Sequence, residues 1–519
     1  MHHFLRSCQV KLRAGNITVI RDLALLTALV TVCLATFPSR PATGDDVTGD
    51  SRMQVAGGAA QAAERQQWSE LEVMVRAGVN VNELQPDGMT ALAWACQHGS
   101  QPTVEMLLTA GANANLANAY QITPLSIACE AGHGKIVSRL LAAGADATSQ
   151  LAGGTTPLHL AARSGDATCI AALVAAGAEV DSRERKKQTP LMWAAAAGNP
   201  EAVTALITAG ANHDARSSQD FSAMMFAARD GRDSVVQTLL DAGVDVNVAM
   251  EGDRSGNRTR RNGTSALILA TESGHYELAM NLIAAGADPN DQRNGFTPLH
   301  IVSWNRKPNR GEGADGDPSP RGSGELNSLD FVRALVASGA NVNAAIVRGA
   351  GGKSRLHMKG ATPFLLAART ADVPLMKLLV ELGGDPTVNN VENCTPLMAA
   401  AGVGVRAVGE EAGLEPEVVD AIDYLVSLGL DVNAVDKNKE TAMHGAAYRN
   451  FPKVVECLES HGANSKFWNH KNASGWTPIR IAQGYRPGSF KPSPETVSAL
   501  KSAIAADAAE AEAKSAIKT

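Results

Sequence analysis

Side chains that could carry out acid–base chemistry or bind a metal recur at regular intervals along this chain. His159, His300 and His444 each stand three residues after a threonine. A set of aspartates follows short turns that begin with Gly-Ala or a variant: Asp146, Asp181, Asp245 and Asp288. Consecutive histidines stand whole repeats apart, so we expect no shared metal ion. The recurrence of the aspartates favours a role in turns over a role in catalysis.

The motifs of the common enzyme and metal-site classes are missing from the sequence. It has no His-Glu-x-x-His zinc motif, no Gly-x-Ser-x-Gly nucleophile elbow, no glycine-rich phosphate loop and no Cys-x-x-Cys pair. We therefore predict a protein that is not an enzyme, with no catalytic residue, no metal ligand and no cofactor.

The cysteines do not form a disulfide pattern. Five of them lie after Ala42: Cys96, Cys129, Cys169, Cys394 and Cys457. Cys96 and Cys129 occupy equivalent positions of adjacent repeats, where packed helices lie about 8–10 Å apart. A disulfide needs its two Cα atoms within about 7 Å. We expect these cysteines to be small core residues.

The elements that position these side chains repeat at a fixed interval. A Thr-Pro-Leu motif or a close variant begins at Thr90, Thr123, Thr156, Thr189 and Ser222, and after insertions at Ser265, Thr297, Thr362, Thr395, Thr441 and Thr477. The first five starts are equally spaced along the chain. A fixed period of about 33 residues is typical of a solenoid of stacked units.

Each part of the motif suits the start of a helix. The threonine or serine can cap the helix, and proline tolerates the first helical position because its missing N–H would have no partner there. Glycines such as Gly165 and Gly198 can end this first helix in the left-handed conformation. A second apolar helix follows, such as residues 136–143, and an extended loop, the finger, then leads to the next unit. One unit cannot bury its apolar face alone, so the units must stack.

This pattern resembles the ankyrin repeat and extends over about residues 55–500. The resemblance implies an all-α solenoid of about twelve helix–turn–helix units, in which the histidines link neighbouring turns by hydrogen bonds. It also implies a protein-binding scaffold that uses its fingers and first helices as a concave surface. Together with the N-terminal segment described below, the pattern is similar to exported bacterial ankyrin proteins. Residues 55–82 are expected to cap one end, and an Ala-rich charged tail, 501–519, the other.

Insertions interrupt the regular spacing on both edges of the array. The steps from Ser222 to Ser265, from Thr297 to Thr362 and from Thr395 to Thr441 are all longer than the regular period. Two inserts fall in fingers, around residues 252–262 and 345–361, and two fall between the paired helices of a unit, at 305–324 and around 410–417. We read the longest step, which follows Thr297, as including a unit that lacks its own start.

Three fingers are rich in Lys and Arg although the whole chain has a net charge of −6. These side chains are Arg183, Arg185, Lys186 and Lys187, then Arg254, Arg258, Arg260 and Arg261, then Arg348, Lys353, Arg355 and Lys359. The three fingers are either ordinary solvated loops, or together they form a positively charged surface that binds an anionic partner. The overall charge balance gives no reason to expect nucleic acid or a membrane surface.

Aromatic residues fall on the same side of the expected solenoid. Phe221, Phe296 and Trp476 precede their capping residue, and Trp304 and Tyr448 lie seven residues after it. Either each ring packs against its neighbouring finger or the rings anchor a partner. By contrast, we expect Trp94 and Trp193 to be core residues. The predicted binding residues over the middle repeats are Arg185, Lys186, Phe221, Arg229, Arg261, Phe296, Trp304 and Arg369.

The N-terminus has the features of a secretory signal. Basic residues from Arg6 to Arg21 precede a short apolar run, Leu23–Phe37, and a polar stretch follows. We expect residues 1–42 to be a signal and its flank, 43–54 a linker, and cleavage to fall between Ala35 and Thr43. The mature protein would then be periplasmic or extracellular. An uncleaved membrane anchor is the alternative.

The sequence thus favours a non-catalytic scaffold. Its partner would be a protein with an acidic surface that binds on the concave face of the middle repeats. The alternative is an exported polyanion-binding or envelope-structural protein that uses the basic fingers. Salt dependence separates them, because polyanion binding weakens steeply with salt.

Overall fold

The computed structural model describes residues 58–251, 262–307, 320–348, 356–405, 408–409, 412–485 and 491–518. Residues 57–519 group as one compact unit. The regular elements of the described residues are all helices, and one isolated β-bridge joins Ala249 to Ser265. The fold is an all-α solenoid, as predicted. None of the helices in the described ranges is long and apolar enough to cross a membrane.

The described helices form twelve consecutive pairs, with one short extra helix, α23, after the eleventh pair. In chain order they are α1 and α2 (Ala59–Glu64, Trp68–Arg76), α3 and α4 (Ala91–Gln97, Gln101–Thr109), α5 and α6 (Pro124–Glu130, Gly134–Ala142), α7 and α8 (Pro157–Ser164, Ala167–Ala175), α9 and α10 (Pro190–Ala197, Pro200–Thr208), α11 and α12 (Ala223–Arg229, Asp233–Asp241), α13 and α14 (Ala266–Glu272, Tyr276–Ala284), α15 and α16 (Pro298–Asn305, Ser328–Ala337), α17 and α18 (Pro363–Arg369, Val373–Glu381), α19 and α20 (Pro396–Ala401, Glu415–Ser427), α21 and α22 (Ala442–Arg449, Pro452–Ser460), α23 (Ser465–Trp468), and α24 and α25 (Pro478–Ala482, Pro494–Lys518).

The motif residues cap their helices as the sequence predicts. At α5 the Thr123 hydroxyl accepts a hydrogen bond from the Ser126 N–H at 3.1 Å, and the Ser126 hydroxyl accepts one from the Thr123 N–H at 3.0 Å. Both orphan donors of the helix start are satisfied in this way. At the other end of the first helix, Gly165 and Gly198 are C-caps with φ of 89° and 88°. A side chain with a Cβ would be strained there.

First helices pack against first helices of the neighbouring pairs, and second helices pack against second helices. The core between them is built from Ala, Leu and Val of both rows. Trp94 is buried, as are the cysteines at 96, 129, 169 and 394, which confirms their assignment as core residues. Trp193 is only partly buried: its ring lies 5.4 Å from the His159 ring and 5.2 Å from the Arg163 guanidinium.

The long steps are accommodated without losing a helix pair. The step from Thr297 to Thr362 contains one complete unit, α15 and α16, so the expectation of a unit without its own start was wrong. Its extra residues separate the two helices and lengthen the following finger. The insert before α20 also separates paired helices, as predicted. At the C-terminus α25 runs through the expected boundary at residue 500, with Leu500 and Ala503 buried.

Candidate partner-binding site

The three motif histidines hold neighbouring units together, as the sequence predicts. The Nδ1 atom of His300 accepts a hydrogen bond from the Thr297 N–H at 3.1 Å, and its Nε2–H donates to the Ala361 carbonyl at 3.2 Å. His159 and His444 make the same pair of bonds, to the carbonyls of Gln188 and His470. Burial lowers the pKa of His300 to about 4 and that of His444 to about 3. The imidazoles are therefore neutral structural groups.

Two of the predicted aromatic residues form one cluster on the first-helix side. Phe296 and Trp304 pack edge to face with their ring centroids 5.0 Å apart. Both are partly buried, and both contact a cluster of buried residues that includes Ile346. Met358 packs against the same buried cluster, and the Arg369 guanidinium lies 3.5 Å from its sulfur. The structure thus brings Phe296 and Trp304 into direct contact.

Phe221 does not belong to an exposed face. Its side chain is only 2% exposed, and its ring packs 5.2 Å from that of Phe226. The expectation that it projects toward a partner was wrong, because the ring packs into the core beside Phe226. Arg229 covers both rings, at 5.7 Å and 5.0 Å, and pairs with Asp230 at 2.7 Å. Arg229 and Asp230 are both partly exposed, whereas the two rings are buried.

Tyr448 is also buried, although its sequence position predicts a place on the concave surface. Its hydroxyl donates to Glu440 at 2.7 Å and accepts from the Asn472 amide at 3.0 Å. Burial, helped by the negative charges of Asp436 and Glu392 and opposed by hydrogen bonds from Tyr448 and Asn472, raises the pKa of Glu440 to about 7. This network belongs to the packing between two fingers.

The first basic finger is exposed and linked by its backbone to its neighbours. Arg185 is exposed and Lys186 is partly buried. The Arg185 N–H donates to the Gly153 carbonyl at 2.8 Å, and the Lys186 carbonyl accepts from the Ser218 N–H at 2.7 Å. These bonds fix the finger between those before and after it. Arg261 and its basic neighbours at 254, 258 and 260 lie outside the described residues.

A polar pocket of about 470 Å³ lies among the next fingers, and we call it the basic pocket. Three arginines from different fingers line it: Arg216, Arg293 and Arg348. Arg293 pairs with Asp291 at 2.8 Å, and Arg216 donates to the Asp220 carbonyl at 3.3 Å. Glu251 is an acidic group on the same lining. Most of the lining is polar, and the acidic groups beside the three arginines are Glu251 and Asp291, the partner of Arg293.

Sequence reasoning missed Arg216 and Arg293 as binding candidates. One signal was available: Arg216 stands one full period after Arg183, at the same finger position of the next unit. The Arg183 guanidinium donates to the Arg216 carbonyl at 3.3 Å, so the two fingers are in contact. Nothing in the sequence indicated that Arg293 lies beside Arg216, since a finger insertion stands between them. Arg183 and Arg216 therefore lie on adjoining fingers, and Arg216 shares the basic pocket with Arg293 and Arg348.

Comparisons with known proteins identify the repeat. The model described as "Ankyrin repeats (3 copies)" matches overlapping segments from residue 59 to 310, and "Ankyrin repeats (many copies)" matches 414–459. Together the matches cover more than half of the chain. They fall on the regular units before and after the most heavily inserted part of the array.

The relatives with these repeats include large animal proteins. The chain is 33% identical over 141 residues to the B-cell lymphoma 3 protein homolog of mouse, which covers 27% of this chain and 24% of that protein. It is 31% identical over 240 residues to the Caenorhabditis elegans ankyrin repeat and KH domain-containing protein mask-1, covering 42% of this chain and 8% of that protein. The chain thus spans less than a quarter of the length of these relatives.

Among solved structures, the human ASB11 ankyrin repeat domain matches 45% of this chain and 99% of its own, with 27% identity and a TM-score of 0.39. The similarity to exported bacterial ankyrin proteins has no counterpart among these relatives, which come from animals.

Proposed function

Because this chain belongs to the ankyrin-repeat family, whose repeats are generally non-catalytic scaffolds for protein–protein interaction, we propose that it binds a protein partner along the fingers and first helices of its middle repeats. The partner surface is acidic. The observation that carries this proposal is the basic pocket, where three arginines from separate fingers meet.

Charge and apolar contact both support this location. Arg348 on the pocket lining and Arg185 on an earlier finger both have exposed side chains. Positive charge of this kind speeds association with an acidic surface. The Phe296–Trp304 pair lies close by on the first-helix side and offers partly exposed aromatic area. Aromatic residues and arginines supply much of the affinity in protein interfaces.

The test compares two charge-reversed variants of the full chain. The first, Arg185→Glu with Arg348→Glu, changes exposed finger residues. The second, Lys135→Glu with Arg139→Glu, changes exposed residues of the second helix α6 by the same total charge. The amount of each protein that the wild type captures is compared with the amount that each variant captures. We expect a partner that the wild type and the α6 variant retain and the finger variant loses. If both variants retain the partner equally, the partner binds at another part of this protein.

Binding of an anionic polymer is the second candidate, and the polar, arginine-lined pocket is the observation in its favour. Retention of the full chain on a sulfated polysaccharide column, measured as a function of salt, separates the two. Polymer binding should fall steeply with salt because phosphate or sulfate groups release counterions. The protein partner, held also by aromatic contact, should remain bound at salt concentrations that elute the polymer complex.

Export remains a proposal from the sequence, since residues 1–57 lie outside the described part of the chain. Its support is the apolar run Leu23–Phe37 behind basic residues. N-terminal sequencing of the protein recovered from each cell fraction tests it. A start between residues 36 and 44 in a soluble exported fraction supports cleavage, and an intact N-terminus in the cytosol contradicts export.

A further inference from the structure

Three side chains with metal-binding atoms meet on the second helices near the C-terminus. Cys457 lies on α22 and His461 caps its end, four residues later, so both point from one face of the helix. Asp423 lies on α20, which packs beside α22. Its Oδ1 atom is 2.6 Å from His461 Nε2 and 3.4 Å from Cys457 Sγ. All three ligand atoms lie within 4.8 Å of one another.

The order of these groups does not suit a cysteine nucleophile. A catalytic thiol needs a base beside it, with the histidine placed between the cysteine and the carboxylate. Here the carboxylate of Asp423 lies between the other two. Burial, followed by the hydrogen bond and the negative charge of Asp423, raises the pKa of Cys457 to about 12. The thiol is therefore protonated and unreactive unless a cation replaces its proton.

We propose that Asp423, Cys457 and His461 form a binding site for a divalent transition-metal ion of the zinc type. Thiolate, imidazole and carboxylate are the ligands that zinc prefers in proteins. On binding, the Cys457 thiol releases its proton to solvent and its sulfur bonds to the metal. The thiolate and the carboxylate then carry two negative charges, which balance the two positive charges of the ion. Solvent can supply a fourth ligand, because Asp423 is exposed.

The distances need only small adjustments to fit. With bonds of about 2.0–2.3 Å and tetrahedral angles, zinc ligand atoms stand about 3.3–3.6 Å apart. The sulfur–oxygen distance of 3.4 Å already meets this, and the nitrogen–oxygen distance of 2.6 Å must open by less than 1 Å. The sulfur–nitrogen distance is at most 4.8 Å and must close by up to about 1.3 Å. Asp423 is exposed and His461 is partly buried, so their side chains have room to rotate.

Such a site would join two neighbouring second helices, α20 and α22, on the row opposite the fingers. It follows the insert that lengthens the unit containing α20. A bound ion would strengthen this junction, because metal binding to the folded state adds directly to stability. The inference is independent of the proposed partner surface, which lies on other residues.

The test is titration of the reduced, metal-free full chain with Co²⁺, which reports thiolate ligands through sulfur-to-cobalt charge-transfer absorption and tetrahedral geometry through its d–d bands. We expect both signals in the wild type, and a rise in unfolding temperature when Zn²⁺ replaces Co²⁺. Cys457→Ser should abolish the charge-transfer band. Loss of an outer-shell group alone weakens metal binding by about 10–100-fold, so Asp423→Asn and His461→Gln should weaken it by at least about 100-fold.

Glu456→Gln is the matched control, because Glu456 is exposed, neighbours Cys457 and is not a ligand. It should bind like the wild type. The N-terminal His2, His3 and Cys8 could bind cobalt separately, and whatever absorption remains in Cys457→Ser measures that background. An unchanged charge-transfer band in Cys457→Ser, or unchanged affinity in both Asp423→Asn and His461→Gln, overturns the proposal. Circular dichroism verifies that each variant folds, and exposed Asp423 provides a variant whose folding should not suffer.

Discussion

The guanidinium of Arg306 and the carboxylate of Asp372 form an ion pair, with Nε and Oδ2 2.7 Å apart, although 66 residues separate them in the chain. Arg306 ends α15, and Asp372 caps the start of α18, where it also accepts from the Leu375 N–H. The Asp372 side chain is 1% exposed and that of Arg306 is 17% exposed. Arg306 also contacts the Ser328 hydroxyl at the start of α16. One arginine therefore joins three helices at the unit with the longest insertion between its helices.

Removing this arginine should destabilise the array strongly. Arg306→Leu leaves the buried carboxylate of Asp372 without its cation, and breaking a buried pair in this way costs about 3–5 kcal/mol. We expect a loss of about 3 kcal/mol in the free energy of unfolding by urea, at the lower end of this range because part of Arg306 is exposed. Lys307→Leu is the control: its pair with Glu417 is more exposed and should contribute about 1 kcal/mol or less. Equal losses in both variants would contradict this account.

Acid should weaken the protein through its buried histidines. The pKa of His300 is lowered from 6.5 to about 4 by burial, so between these values the unfolded chain binds more protons than the folded one. Stability therefore falls as the pH drops from 6.5 to 4, by up to about 3 kcal/mol for this residue at about 1.4 kcal/mol per pKa unit. His300→Gln should show a smaller fall in urea midpoint between pH 7.5 and pH 5 than the wild type. If the urea midpoints of the wild type and His300→Gln fall equally with pH, His300 does not cause the loss of stability in acid.

Glu440 should lower the stability of the protein as the pH rises, whereas His300 lowers it as the pH falls. Its pKa is raised from 4.5 to about 7, mainly by burial, so the folded state holds the proton more tightly and stability falls as the pH rises through this window. Glu440→Gln cannot ionise, and its oxygen can still accept from Tyr448. We expect it to exceed the wild type by about 1–3 kcal/mol at pH 8 and to match it near pH 4. A variant less stable than the wild type at pH 8 would show that the carboxylate is needed.

The aromatic pair should affect both binding and stability. We expect Phe296→Ala or Trp304→Ala to weaken affinity for the partner captured by the wild type by about 1–3 kcal/mol. The rings pack 5.0 Å apart and are partly buried. Each variant should therefore also lose about 1–2 kcal/mol in unfolding free energy.

Phe467→Ala is the control for the aromatic pair, because Phe467 is 51% exposed and lies near the other end of the array. It should change neither the affinity nor the free energy of unfolding by more than about 0.5 kcal/mol. If Phe296→Ala and Trp304→Ala lower stability but leave the affinity of the folded fraction unchanged, the rings only support packing and the proposed face must be moved.

Local and periodic features of this protein follow from its sequence alone. The constant spacing of the Thr-Pro-Leu motif predicted the stacked helix pairs, and the capping residues, the left-handed glycines and the motif histidines behave as predicted. These features depend on residues within one unit and on the same positions of the next. A fixed repeat therefore specifies them wherever the motif is present.

Which side chains are exposed, and which of them meet, depends instead on the tertiary structure. Phe221 and Phe296 occupy the same place before their caps, yet Phe221 is buried beside Phe226 and Phe296 is partly exposed beside Trp304. Insertions of unequal length likewise bring Arg216 and Arg348 to one pocket and Arg306 to Asp372. The repeat period cannot predict such contacts, since each depends on how an inserted loop folds against its neighbours.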